Sequence, residues 1–168
     1  GGTWATAASD QNTAVGYNTM AGAMNGAAYN SAFGFEALND LTTGDYNTTL
    51  GYKSADAVTT GTHNVAIGTD ALGGSTDVDQ AVVVGSQAGT GVMTAAADGT
   101  VIMGYAAGAS ITSGDGNTML GYIAGTDITT GGANTIVGYQ ALTNAQTNVG
   151  NCTALGYKAG LKLGDNGI

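Results

Sequence analysis

A glycine preceded by three small or apolar residues returns every seventeen to nineteen positions along this chain. It stands at Gly16, Gly34, Gly51, Gly68, Gly85, Gly104, Gly121, Gly138 and Gly156, with steps of 18, 17, 17, 17, 19, 17, 17 and 18 residues. Nine units in 168 residues leave no length for a linker or a second domain. Residues 1–168 are therefore read as one repeat domain, in which each unit is too short to bury a core alone and must stack on its neighbours.

The columns of the repeat say what kind of unit stacks. Before each glycine sit Val15, Phe33, Leu50, Ile67, Val84, Met103, Leu120, Val137 and Leu155, all large and apolar. Two positions earlier stand Thr13, Ser31, Thr48, Val65, Val82, Val101, Thr118, Thr135 and Thr153, which share a strand face with them because side chains alternate. The column between, from Ala14 and Ala32 to Ile136 and Ala154, points the other way and is also mostly apolar. A strand apolar on both faces has to be covered on both sides, so Leu120 and its column are expected to be buried. After the glycine comes an aromatic in seven units: Tyr17, Phe35, Tyr52, Tyr105, Tyr122, Tyr139 and Tyr157. A mostly polar column and then a small one follow. This pattern predicts two short strands per unit, one on each side of a glycine corner.

Between units the chain writes turn chemistry, as in "LTTGDYN" from Leu41 and "ITTGGAN" from Ile128. Each of these turns leads into an asparagine, and asparagine recurs at Asn12, Asn30, Asn47, Asn64, Asn117 and Asn134. Asparagines repeated in register are expected to hydrogen-bond up a ladder. Helical readings fail, since the apolar columns alternate with period two and glycine punctuates every unit. The fold class is all-β: a parallel β-solenoid, or β-roll, of about nine 17-residue coils. At about 4.8 Å per coil it would form a rod of about 43 Å.

These columns resemble the head repeats of trimeric autotransporter adhesins, whose units read like N-S-V-A-I-G-x-x-A. "NVAIGTDAL" at Asn64–Leu72 is a close copy, and "NTAVGYNTM", "NTMLGYIAG" and "NTIVGYQAL" look like the runs of bacteriophage tail-fibre and other extracellular fibre proteins. The resemblance covers nearly the whole chain. It implies a left-handed roll and a homotrimer, with one strand face covering the chain's own roll and the other meeting partner chains. This chain departs from the adhesin pattern in its longer TTG turn, in tyrosine after glycine and in threonine where valine is usual.

Composition narrows the function classes. Three lysines, no arginine and twelve acids give a net charge of −9, which argues against nucleic acid and anionic membrane surfaces. No apolar run is long enough to span a membrane, and no signal-peptide pattern opens the sequence, so any such leader is already removed or lies outside this stretch. Cys152 is the only cysteine, so it makes no intrachain disulfide; it takes the ladder position of asparagine and reads as a small filler. His63, the only histidine, sits in a turn and is expected to be exposed, with no second histidine to form a catalytic pair. Asp77 and Asp79 lie close together, but the glycine-rich calcium nonapeptide is missing. "IGTDAL" resembles one hexapeptide of the left-handed β-helix acyltransferases, yet one corner per coil matches where those need three. Paired threonines fall in turns and not in the flat T-x-T arrays of ice-binding solenoids.

The expectation is a non-enzymatic extracellular fibre or adhesin segment, with no metal and no cofactor. It sits at a cell surface, on a virion or in a secreted filament. Its partners are copies of itself, with a cell-surface glycan or receptor as the candidate outside partner. The alternative is a filament subunit that stacks head to tail, because "GGTWATAASDQ" and "LKLGDNGI" carry no evident polar cap.

Overall fold

A computed structural model describes residues 9–143 and 148–160. Its regular structure is nine three-residue strands, β1 (Thr13–Val15), β2 (Ser31–Phe33), β3 (Thr48–Leu50), β4 (Val65–Ile67), β5 (Val82–Val84), β6 (Val101–Met103), β7 (Thr118–Leu120), β8 (Thr135–Val137) and β9 (Thr153–Leu155), plus one 3-10 turn at Ala95–Ala97. They form a single parallel sheet in sequence order. The register pairs like with like: Val15 opposes Phe33, Phe33 opposes Leu50, and so on to Val137 against Leu155. The chain is a parallel β-solenoid.

Each unit holds one strand, not the expected two. Past the glycine the backbone alternates into the left-handed region, as at Asn18 and Met20, Glu36 and Leu38, or Lys53 and Ala55. Residues in that conformation cannot continue a strand, so the second half of the unit is a stacked turn. Inter-coil hydrogen bonding nevertheless runs on through it. Gly34 N–H donates to Val15 carbonyl at 2.8 Å, and Glu36 N–H to Tyr17 carbonyl at 2.8 Å. Repetition, not local strand propensity, satisfies these backbone groups.

The interior is lined by the middle strand column, with Ala32, Thr49, Ala66, Val83, Ile102, Met119 and Ile136 fully buried. Opposite it stands the fourth residue after each corner glycine: Leu38, Ala55, Leu72, Gly89, Gly108, Gly125 and Leu142. In five of these coils the two columns compensate in size: Ala32 and Ala66 share their coils with Leu38 and Leu72, whereas Val83, Ile102 and Met119 share theirs with glycine. Thr49 with Ala55 and Ile136 with Leu142 do not follow the rule. At Gly108 a Cβ would stand 2.9 Å from both Ile102 Cδ1 and Met119 Sδ. A thin core is thus filled by small and medium-sized side chains. Leu41, Val58, Val78, Ile111 and Ile128 close the far side, and Ala37, Ala71, Ala88, Ala107, Ala124 and Ala141 fill the corners.

The column just before the glycine lies outside this interior, which corrects the expectation of burial. Val15, Phe33, Leu50, Met103 and Leu155 are exposed, and Ile67, Val84, Leu120 and Val137 are half-buried. Alternation allows only one face of a three-residue strand to point inward, and the middle residue takes it.

Candidate functional site

The asparagine ladder is internal. Asn30, Asn47, Asn64, Asn117 and Asn134 are buried, and Asn12 is half-buried at the first coil. Each Nδ2 of Asn30, Asn47, Asn64 and Asn134 donates to the Oδ1 of the asparagine one repeat earlier, at 2.9–3.1 Å. The same Oδ1 atoms accept from the backbone N–H of the next unit, and each Nδ2 also reaches a carbonyl in the following turn, as with Asn47 to Gly61 at 2.8 Å. The ladder is interrupted at Ala81 and Thr100. It ends at Cys152, which is buried and whose N–H donates to Asn134 Oδ1 at 2.9 Å. The column is structural, holding the turn against the strand in every coil it occupies.

A second ladder, in threonine, was missed by sequence reasoning. Thr42, Thr59, Thr94 and Thr112 donate their hydroxyls to the carbonyls of Thr59, Thr76, Thr112 and Thr129 at 2.9–3.3 Å. The "TTG" spacing was visible, but the first threonine's role as an inter-coil donor was not.

The outer surface carries the features that could meet a partner. The two outward strand columns, from Thr13 and Val15 to Thr153 and Leu155, contain eighteen side chains and no charge. Beside them runs a column of stacked rings. Tyr17, Phe35 and Tyr52 stack at 5.3 Å, and Tyr105, Tyr122, Tyr139 and Tyr157 stack at 5.1–5.4 Å. The spacing follows the coil rise, so the rings lie flat on one another with their edges outward. Thr69 and Ser86 occupy the two positions between the stacks.

On another side Tyr29, Tyr46 and His63 form a third stack, with centroids 4.8 Å apart at each step. His63 is exposed there. The signal was present in the sequence, since all three stand just before a ladder asparagine.

The charged groups are scattered. Lys53 bridges to Glu36 at 3.4 Å, and its ammonium is held above the usual lysine range first by its hydrogen bond to Glu36, with Tyr52 and the Glu36 charge adding to it. Asp56 is pushed above the usual carboxylate range, chiefly by burial and then by Asp70 and Asp40, against the opposing pull of Lys53. Asp79 and Asp98 accept backbone hydrogen bonds, at 2.6 Å from Thr62 N–H and 2.8 Å from Asp79 N–H; Asp77 accepts from the Thr76 hydroxyl at 3.3 Å. Among the described residues no group of three His, Cys, Asp or Glu side chains could hold a metal ion. Among the same residues no helix is long and apolar enough to cross a membrane. Trp4 and residues 161–168, on which the uncapped-end expectation rested, lie outside the described residues.

No family model matches the chain, and neither a curated protein nor a solved structure shows significant similarity to it.

Proposed function

We propose that this chain is a non-enzymatic, rod-like segment of an extracellular attachment fibre that works as a homotrimer. It would serve in the manner of the adhesin head and tail-fibre repeats it resembles. The observation that carries the reading is the uncharged outer strand face. A chain of net charge −9 repels its own copies over most of its surface. Two columns running the length of the sheet carry only Thr, Ser, Val, Ile, Leu, Met and Phe. Copies can approach there without desolvating a charge, and half-exposed Ile67, Val84, Leu120 and Val137 gain burial on contact. Repetition at a fixed rise makes the same face match itself row by row.

Leu50→Asp and Leu120→Asp test this. Both side chains point away from the chain's own core, so circular dichroism and the coil fold should be unchanged. Sedimentation should show a trimer for the wild type and a monomer for the variants. A wild-type chain that stays monomeric at about 100 μM removes the trimer. Electron microscopy addresses the rod: discrete short particles are expected, and long end-to-end fibres would replace the segment reading with a filament subunit.

A further inference from the structure

The strand face is bordered by two unlike edges, and their residues can be matched coil by coil. Two positions before each strand stands a residue with a left-handed backbone: Tyr29, Tyr46 and His63 ahead of β2, β3 and β4, but Gly99, Gly116 and Ala133 ahead of β6, β7 and β8. This first edge therefore drops from a ridge of stacked rings to a shelf of small residues. All three shelf positions are exposed, and at Gly99 and Gly116 a built Cβ meets nothing within 4 Å. The backbone of the shelf is suited to a ring, since φ is +57° at Ala133 and +59° at Tyr46. The second edge, two positions after each strand, is the aromatic column. In the three shelf coils it carries Tyr105, Tyr122 and Tyr139, stacked on one another and 43–46% exposed.

We propose that the shelf receives a second copy of this chain, with Tyr105, Tyr122 and Tyr139 of one protomer lying against Gly99, Gly116 and Ala133 of its partner. The proposal rests on the homotrimer reading above and names the contact that closes it. Three copies that turn the strand face toward a common axis meet edge to edge, the second edge of one against the first edge of the next. Rotation about that axis adds no rise, so each coil meets the same coil of its partner. At β6, β7 and β8 a ring then meets a small residue, and tyrosine is a residue that gains much from burial at such contacts. At β2 and β3 the same operation sets ring against ring, Phe35 by Tyr29 and Tyr52 by Tyr46. At β4 and β5 it sets Thr69 by His63 and Ser86 by Gln80, polar by polar. Neither edge column holds an Asp, Glu, Lys or Arg in any of the nine coils, so the contact continues the uncharged strand face. Asp98 and Asp115 precede the two shelf glycines and give the ring hydroxyls acceptors at the rim.

Sedimentation of the full chain over a concentration series tests the contact. Ala133→Tyr fills the shelf beside β8 and should raise the concentration at which half the chain is trimeric by at least about tenfold, with the circular dichroism of wild type. Tyr139→Ser gives that column the residue it already has at Ser86, and should weaken assembly as well. The double variant Ala133→Tyr/Tyr139→Ser moves the ring to the other edge of the same coil and should restore assembly most of the way to wild type. Gln80→Tyr adds a ring opposite Ser86, where no ring stands, and should leave assembly unchanged. The proposal is overturned if Ala133→Tyr assembles like wild type, if the double variant assembles no better than Ala133→Tyr alone, or if Gln80→Tyr loses as much as Ala133→Tyr. A wild type that stays monomeric removes the trimer and this contact together. A wild-type trimer indifferent to these substitutions keeps the trimer and removes the contact alone.

Discussion

The side-chain amide of Asn47 donates to the side-chain oxygen of Asn30 one coil earlier, at 3.0 Å, with both residues buried. The same amide reaches Gly61 carbonyl at 2.8 Å, and Asn47 Oδ1 accepts from Asn64 N–H and Nδ2, each at 3.0 Å. One side chain therefore ties three coils. Asn47→Ala leaves a carbonyl and two donors without partners in the interior. The expected cost is about 3 kcal/mol, from penalties of about 1–3 kcal/mol per buried unpaired group. Asn47→Asp should cost more, because it sets a carboxylate against Asn30 Oδ1 and Gly61 carbonyl. Urea unfolding measures both; a loss under 1 kcal/mol for Asn47→Ala would refute the load assigned to the ladder.

Glycines with a left-handed backbone differ in what surrounds them. Gly121 has φ of +139°, and a Cβ there would run into the carbonyl oxygen of Gly138. Gly116, in a turn, has φ of +61° and no atom within 4 Å of a built Cβ. Gly121→Ala should therefore cost several kcal/mol, combining backbone strain with a clash against main chain that cannot yield. Gly116→Ala should cost only the strain, about 1–2 kcal/mol. Equal melting temperatures for the two variants would contradict the close approach.

Size compensation across the core predicts coupling. Ile102→Ala should cost about 2–5 kcal/mol as an ordinary large-to-small change. Gly108→Ala should also destabilise, since its Cβ meets Ile102 Cδ1 and Met119 Sδ at 2.9 Å. In the double variant the new methyl occupies space that Ile102 has vacated. Its loss should fall short of the sum by about 1 kcal/mol or more. The same conformation carries alanine at Ala55, opposite Thr49. Strict additivity would show that the two columns do not meet.

Thr49 sits in the inward strand column, fully buried, and its Oγ1 has no hydrogen-bond partner. Its neighbours in register are Ala32 and Ala66. Thr49→Val keeps the shape and removes an unsatisfied hydroxyl. Stability should rise by about 1 kcal/mol or more. A lower midpoint in urea would mean that the hydroxyl is satisfied.

How much of this could be read from the letters depends on what each residue had to reveal. The register was legible because the glycine column is invariant across the nine units, and Gly16 through Gly156 each follow a strand directly. The Asn30–Asn47–Asn64 hydrogen bonds were legible for the same reason. The inward face of the strand was not. Both faces of "TML" and "TIV" are apolar, and period two is symmetric between them; only the narrowness of the interior sends Ala32 and Ala66 inward and leaves Phe33 and Ile67 outside. The missing second strand was hidden because Glu36, Lys53 and Ile123 carry no local preference for positive φ; the stacked coils impose it. The aromatic column was visible as a pattern in seven units, but the stacking of its rings was not, because only the register sets Tyr122 on Tyr105 and Tyr139 on Tyr122.

The coil between β5 and β6 shows where this architecture tolerates novelty. It takes the longest step of the series and folds the surplus into the Ala95–Ala97 turn, capped by Thr94, whose hydroxyl accepts from Ala96 N–H at 3.4 Å. Val82 still opposes Val101 in strict register on either side of it. A foreign peptide spliced at this bend would be displayed sideways from an undisturbed shaft, so the chain could lengthen at its flank without losing count along its axis.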